Sequence, residues 1–254
     1  MKDFITKGHK PAWTGAGILL LLAAWYGLAA IYHELIVPSP GAAWASLQAL
    51  AKSGKLWANL LITMERLFAG LLIGSLLGLV FGVMAGIFKG FYFFFKPVLA
   101  LIFSSPPVVI VVLAMLWFGL GSTQTVFVVS VLVFPTVFIN TVEGMQAIDR
   151  QLLEMAGIYR ASNLIKWADI YLPALAASIL AGFSLAAGMA VRIVVMAELL
   201  GTSNGVGYAI AIARTNLDTP QLFAWILVCL ALVAAMELLI VRPIKKYLLR
   251  WQAE

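Results

Sequence analysis

The sequence predicts an all-α membrane protein with six transmembrane helices and both termini on the cytoplasmic side. Three observations carry this reading. Of 254 residues, 63% are hydrophobic and 11% charged, with a mean hydropathy of +1.02, whereas a soluble domain is nearer half apolar and a quarter charged. The apolar residues fall in six blocks, near residues 12 to 32, 63 to 88, 97 to 118, 124 to 143, 173 to 199 and 221 to 241. Each can cross a hydrocarbon core of about 30 Å at about 1.5 Å per residue. The basic residues are distributed unevenly between the connections. With the amino terminus inside, Lys2, Lys7, Lys10, Lys89, Lys96, Arg150, Arg160, Lys166, Arg242, Lys245, Lys246 and Arg250 are cytoplasmic, and only Lys52, Lys55 and Arg214 lie outside, the bias that fixes orientation in membranes. Barrel strands are excluded because the sequence lacks their alternation, and an open strand edge in lipid would leave backbone groups unpaired.

Composition also excludes several functions. The net charge is +6, but the basic residues are scattered between apolar blocks and form no patch suited to nucleic acid. Cys229 is the single cysteine and His9 and His33 the only histidines, so no disulfide framework or metal-binding spacing exists. Ser184 has no histidine after it to act as a base. No phosphate-binding loop motif is present, so ATP-driven work has to come from another subunit.

The elements follow in order. Residues 1–36 hold the first span. Its apolar run from Ala12 to Tyr32 exceeds the roughly 7 to 15 residues of a signal-peptide core, so it reads as a retained helix. Residues 37–62 form a periplasmic connection. Pro38 and Pro40 open it, and an amphipathic pattern then reads as an interfacial helix, with an ordinary loop as the alternative.

Residues 63–244 form the transmembrane core, followed by a cytoplasmic tail at 245–254. The second span carries Gly70, Gly74, Gly78, Gly82 and Gly86, a ridge without side chains on which another helix can pack closely. The third holds Pro106 and Pro107 well inside its apolar run, which forces a kink or unwinding. Such a break is either static or lines a pathway. Glu65, Arg66, Glu143, Glu198 and Glu237 lie near span ends, where snorkelling or an interfacial partner suffices. Arg192 lies deeper, about 28 Å along a helix from Pro173. It could attract an anion, or pair structurally with Glu198, Glu237 or free carbonyls. Between the fourth and fifth spans, about 149–172, "EMAGIYRASNLIKWADIYLP" begins at Glu154. It is too polar for lipid, yet Ile158, Leu164, Ile165, Trp167 and Ile170 give it an apolar side that needs a protein groove.

These residues resemble a known family. Glu154-Met155-Ala156, followed by Leu172-Pro173, resembles the EAA motif of ABC importer permeases. The ordered set "RLFAGLLIGSLLG" from Arg66, "PPVVIVVLAMLWFGLG" from Pro106, "FPTVFINTVEGMQAID" from Phe134 and "AELLGTSNGVGYAI" from Ala197 is similar to the permeases for nitrate, sulfonate, taurine and bicarbonate. The resemblance runs from about Pro38 to Arg250 and implies a type I importer permease fold in a bacterial inner membrane. It implies coupling to an ABC ATPase dimer through Glu154, Met155, Ala156, Gly157, Arg160, Ala161, Leu172 and Pro173. The translocation pathway would involve Pro106, Pro107, Met115, Trp117, Arg192, Met196 and Glu198. The chain itself would hold no catalytic residue, metal or cofactor, ATP and Mg being bound by the partner ATPase. The other implied partners are a second permease copy, a periplasmic or lipid-anchored substrate-binding protein, and membrane lipids. The implied solute is small and anionic. The alternatives are a neutral or cationic vitamin precursor, or an ATP-independent secondary transporter or channel.

Two departures from the family pattern carry expectations. Arg160 stands where a glycine is usual, which suggests a turn of different shape. Val112 stands where many relatives have a third proline, which suggests a less distorted third span.

Overall fold

The computed structural model describes residues 10–244 and 246. The basic residues Lys2, Lys7, Lys245 and Arg250, and most of the expected tail, lie outside the described residues. Among the described residues all regular structure is helical. The helices are α1 (Lys10–Ile31), α2 (Pro40–Lys52), α3 (Lys55–Ile87), α4 (Lys89–Ser104), α5 (Pro107–Phe118), α6 (Ser122–Gln146), α7 (Arg150–Ile158), α8 (Asn163–Ile165), α9 (Leu172–Gly201), α10 (Val206–Thr215) and α11 (Thr219–Met236). Two wider, π-helical segments, Lys166–Tyr171 and Glu237–Val241, adjoin α9 and α11. Four helical runs are long and apolar enough to cross a membrane, α4 and α5 meet the same test only when taken together as one bent pair, and Gly15–Ile31 is a shorter apolar helix.

The smaller of two compact units comprises the described residues up to Trp57 together with Ala209–Leu227. The indole Nε1 of Trp25 donates to the Pro38 carbonyl at 3.0 Å, and its ring lies 5.6 Å from that of Phe223. The Thr219 hydroxyl donates to the Leu35 carbonyl at 2.7 Å. The connection after the first span is helical, as its pattern suggests. Ser39 caps α2 by accepting from the Ala42 amide at 3.1 Å, and Pro40 occupies the first turn, where no amide hydrogen is needed. Gly54, at φ +75°, ends this helix and lets α3 start at Lys55. The second span therefore begins well before the apolar block at 63. It runs for 33 residues, about 50 Å, and Arg66 lies inside the helix.

The larger unit, Ala58–Tyr208 with the chain from Val228 onward, is organised around α6. The five ridge glycines of α3 lie against it in a constant register: Gly70 on Val129, Gly74 on Val133, Gly78 on Val137, Gly82 on Thr141 and Gly86 on Met145. A fixed offset along both chains means that α3 and α6 run parallel. A side chain at Gly74 would sit 2.6 Å from the Ser130 carbonyl oxygen, so the backbones meet at a distance only glycine permits. On its other side α6 meets α9 antiparallel. Gly144 touches Ser178, Gly182 touches Asn140 and Gly201 touches Gln124.

Since α3 and α6 are parallel, the chain between them has to return along the bundle. The expected third span does this as two helices bent by 104°. Ser105 and Pro106 each precede a proline, and both adopt extended conformations, at ψ 130° and 132°, because the proline ring clashes with a helical residue before it. The bend falls at the proline pair, while Val112 lies inside the regular helix α5 (Pro107–Phe118). Phe91 and Phe95 of α4 pack with Phe81, Phe134 and Phe138 of α3 and α6 around Leu99, which fixes the first arm of the bend.

The fifth span also departs from its sequence boundaries. A continuous helical run extends over Asn163–Gly201, with Pro173 in its interior. The wider turn accommodates that proline: the Leu172 amide bonds back to the Trp167 carbonyl, one residue further than in an α-helix, so the ladder is already shifted where proline lacks a donor.

Gly74→Ala is expected to lower stability by about 1–3 kcal/mol through overpacking. Gly188→Ala, where nothing lies within 4 Å of the added methyl, should be neutral or mildly stabilising. Thermal unfolding of the two purified variants in one detergent checks the contrast.

Candidate functional site

The functional residues gather at opposite ends of the α6 bundle. At one end is the polar insert. Asp149 starts α7 by accepting from the Gln151 amide at 2.8 Å. The helix closes in a Schellman turn. The Ala161 amide donates to the Ala156 carbonyl at 2.9 Å and the Arg160 amide to the Gly157 carbonyl at 3.0 Å. This motif requires a left-handed residue at position 160, and Arg160 adopts φ +51°. The turn expected to change shape without glycine is thus built as glycine would build it, at the steric cost an L-residue incurs there. Ser162 then caps the next helix, accepting from the Ile165 amide at 3.4 Å.

The insert is clamped on one side and bare on the other. Met145, Ile148 and Leu175 form a buried cluster with Leu153, Ile170, Tyr171 and Val83, joining the insert to α6, α9 and α3. Ile170, read in the sequence as part of the outward apolar side, belongs to this clamp. Ala156 is buried as well. Ile158 and Leu164 point away from the bundle at 81% and 82% exposure, and Met155 and Leu172 are exposed with them. Glu154, Gly157, Arg160 and Pro173 are exposed, and Ala161 is partly covered.

At the opposite end lies a buried polar node. Arg66 is 3% exposed and Glu198 fully buried, and they form an ion pair at 2.8 Å. Glu198 also accepts from the Thr63 hydroxyl at 2.8 Å and the Gly207 amide at 3.0 Å. Arg66 donates to the Asn204 carbonyl at 2.9 Å, to the Asn204 side-chain oxygen, and through Nε to the Ser122 hydroxyl at 3.0 Å. Asn59 accepts from the Gly205 amide at 2.8 Å. Gly205 has φ +103°, and a side chain there would collide with the Glu198 carboxylate. The Gly121 amide donates to the Gly201 carbonyl at 2.8 Å, tying the start of α6 to the end of α9.

This node revises three expectations. Glu198 is buried in structure and does not line an accessible path. Arg66 is no snorkelling residue at a span end. Arg192 pairs with neither Glu198 nor Glu237 and makes no hydrogen bond or ion pair among the described residues. Thr63, Asn59 and Asn204 were missed, and Arg66 was assigned to a span end, because local hydropathy reads each in isolation. A signal was present nonetheless: Arg66 lies four residues before Gly70, on the same ridge, so it had to face the bundle.

Arg192 instead sits on an exposed stripe of α9 with Leu185 and Met189, continued by the partly covered Met196. The spacing of four, three and four residues places them on one helix face. Pro106, Pro107 and Trp117 are exposed and Met115 partly covered. Trp117 meets Phe127 edge-on at 6.1 Å. Among the described residues no three His, Cys, Asp or Glu side chains are placed to hold a metal ion.

Comparisons with known proteins agree with this architecture. Residues 70–251 match the family described as binding-protein-dependent transport system inner membrane component. The putative aliphatic sulfonates transport permease protein SsuC of Bacillus subtilis is 32% identical, over 93% of this chain and 87% of its own length. The riboflavin transport system permease protein RibX of Chloroflexus aurantiacus is 34% identical, over 93% and 88%. The taurine transport system permease protein TauC of Escherichia coli is 24% identical, over 93% and 88%. Among solved structures, the crystal structure of an amino acid ABC transporter with histidines superposes with a TM-score of 0.63 at 18% identity, covering 80% of this chain and 97% of that one, a likeness of fold.

Two substitutions test the site's energetics. Glu198→Gln and Arg66→Met should each cost about 3–5 kcal/mol, since each strands a buried partner, while the double variant should cost clearly less than their sum. A double-mutant cycle by denaturant or thermal unfolding measures this. Arg160→Gly should stabilise the protein by about 1 kcal/mol by relieving the left-handed turn, read as a rise in melting temperature.

Proposed function

Because the chain belongs to the family of binding-protein-dependent transport system inner membrane components, we propose that it is the permease subunit of an ATP-binding cassette importer, carrying a small anionic solute. Its place is the inner membrane. The observation that carries the coupling assignment is the insert: α7 and the first turns of the helix that begins at Asn163, each started by a side-chain cap, clamped to the bundle by one face and presenting Met155, Ile158, Leu164 and Leu172 on the other. An exposed apolar patch of this kind marks a partner surface, and helices laid into a groove are a recurrent way of filling one.

On this reading an ATPase dimer holds residues 149–172 on the cytoplasmic side and binds ATP and Mg, with no nucleotide site in this chain. A second copy of the permease completes the pathway along the α9 stripe, and a substrate-binding protein delivers solute at the opposite face. Closure of the ATPases moves the inserts, and the clamp passes that movement to α6 and α9, an alternating-access cycle of rigid-body type. Both termini and the insert share the cytoplasmic side, and α1 and the bent pair complete six crossings.

The substrate class rests on two supports. The sulfonate and taurine relatives are named for sulfonated solutes, and Arg192 places one cation on an otherwise apolar exposed stripe. The riboflavin relative, at comparable identity, keeps a vitamin as the second reading.

The test is ATP hydrolysis by the complex reconstituted in lipid with its ATPase and binding protein. Binding protein loaded with an alkyl sulfonate should stimulate hydrolysis, and riboflavin should not. Glu154→Ala and Ile158→Asp should abolish the stimulation and leave the basal rate of the isolated ATPase unchanged. Undiminished stimulation in both variants would remove the coupling assignment.

A further inference from the structure

A cavity of about 690 Å³ opens at the end of the bundle where α3 finishes, α4 begins and the insert attaches. Its volume is in the range of ordinary small-ligand sites, and its walls are of two kinds. Lys89 and Tyr92 of α4, Gln146 at the end of α6 and Tyr171 beside α9 supply an ammonium, two hydroxyls and an amide. Phe93 and Leu153 stand among the apolar remainder. No carboxylate lines it. Asp149 and Glu154 directly follow the lining residues Ile148 and Leu153 but do not line the cavity, and Asp149 is occupied in capping α7.

From this combination we propose that the cavity binds an anionic phospholipid, its phosphate held by Lys89 and the tyrosine hydroxyls and the start of its acyl chains lying against Phe93 and Leu153. A phosphodiester matches a lysine ammonium flanked by neutral donors. The apolar wall would be left wet by a small inorganic anion but is covered by an acyl chain. Basic pockets between helices at the cytoplasmic face are where such headgroups are bound. Lys89 and Phe93 are exposed, so the cavity opens outward and a lipid can enter laterally.

The consequence concerns coupling. The bound lipid bridges α4 to the insert through Leu153 and Tyr171, so it steadies the insert in the position from which it contacts the ATPase. This rests on the cytoplasmic coupling role proposed above. Stimulation by the binding protein should therefore depend on anionic lipid, and the dependence should pass through one lysine.

The experiment uses the purified permease and ATPase complex. Native mass spectrometry after exchange into phosphatidylcholine with added phosphatidylglycerol should show anionic lipid retained on the wild type. Lys89→Gln should retain about fivefold less, whereas Lys96→Gln, an exposed lysine of the same helix that does not line the cavity, should retain as much as wild type. In discs of phosphatidylcholine alone, added inorganic phosphate should not restore stimulation, and phosphatidylglycerol should. Equal retention in all three proteins, equal loss in both lysine variants, or full rescue by inorganic phosphate would each overturn the proposal. If no ATPase copurifies, the coupling reading fails, and lipid retention by the permease alone still decides the site.

Discussion

The buried pair of Arg66 and Glu198 is the constraint on which the rest of the larger unit depends. Two charges removed from solvent cost several kcal/mol each unless every donor and acceptor finds a partner. Here Glu198 receives a guanidinium, a hydroxyl and a backbone amide, and Arg66 spends its remaining donors on Asn204 and Ser122. These partners come from α3, from the first residue of α6, from the end of α9, from the loop before α10 and from the first turn of α10. Only one relative arrangement of those elements satisfies all of them. The pair therefore acts less as a source of stability than as a selector of register. A one-residue slip of α3 along α6 would strand a buried charge.

The glycine ridge extends the same register through the membrane. From Gly70 to Gly86 each glycine faces one residue of α6 at a constant offset, and in lipid such close backbone approach takes the place of the hydrophobic drive available in water. Small or short side chains repeat the device where α6 meets α9. The result is a three-helix layer whose two ends are each pinned, by the polar node at one and by the Met145, Ile148 and Leu175 cluster at the other.

Much of this was legible in the sequence because the governing physics is local. The apolar blocks, the glycine period and the proline pair each dictate one helix, one contact face or one break, and α2, α6 and the insert appear where the pattern places them. The misreadings have a common origin. Helix α3 starts early because hydropathy measures solubility in lipid and not helix length, and Lys55 and Asn59 interrupt an otherwise apolar run that is already helical. The helix that carries the fifth span begins at Asn163, inside the insert, because a π-turn can carry a proline that the sequence presents as a boundary. The pairing of Arg66 with Glu198 joins residues more than a hundred positions apart, and the nearer candidate for Glu198, Arg192 on the same helix, faces elsewhere.

Where the protein is stiff and where it yields then follow from hydrogen bonding. The α6 helix has 25 residues, about 37 Å, and it is held at both ends, so a displacement applied at the insert reaches the polar node as a tilt of the whole layer. Compliance is confined to places where the α-helical ladder is interrupted: the extended Ser105 and Pro106 between α4 and α5, and the wider turns of Lys166–Tyr171 and Glu237–Val241. The first of these turns, Lys166–Tyr171, lies within the insert, next to the residues that would meet the ATPase. The extended pair lies in the bent crossing beside α6. A bundle that is rigid in its middle and jointed where force enters is suited to switching between two discrete arrangements, since packed layers of this kind are displaced as units and not bent by degrees.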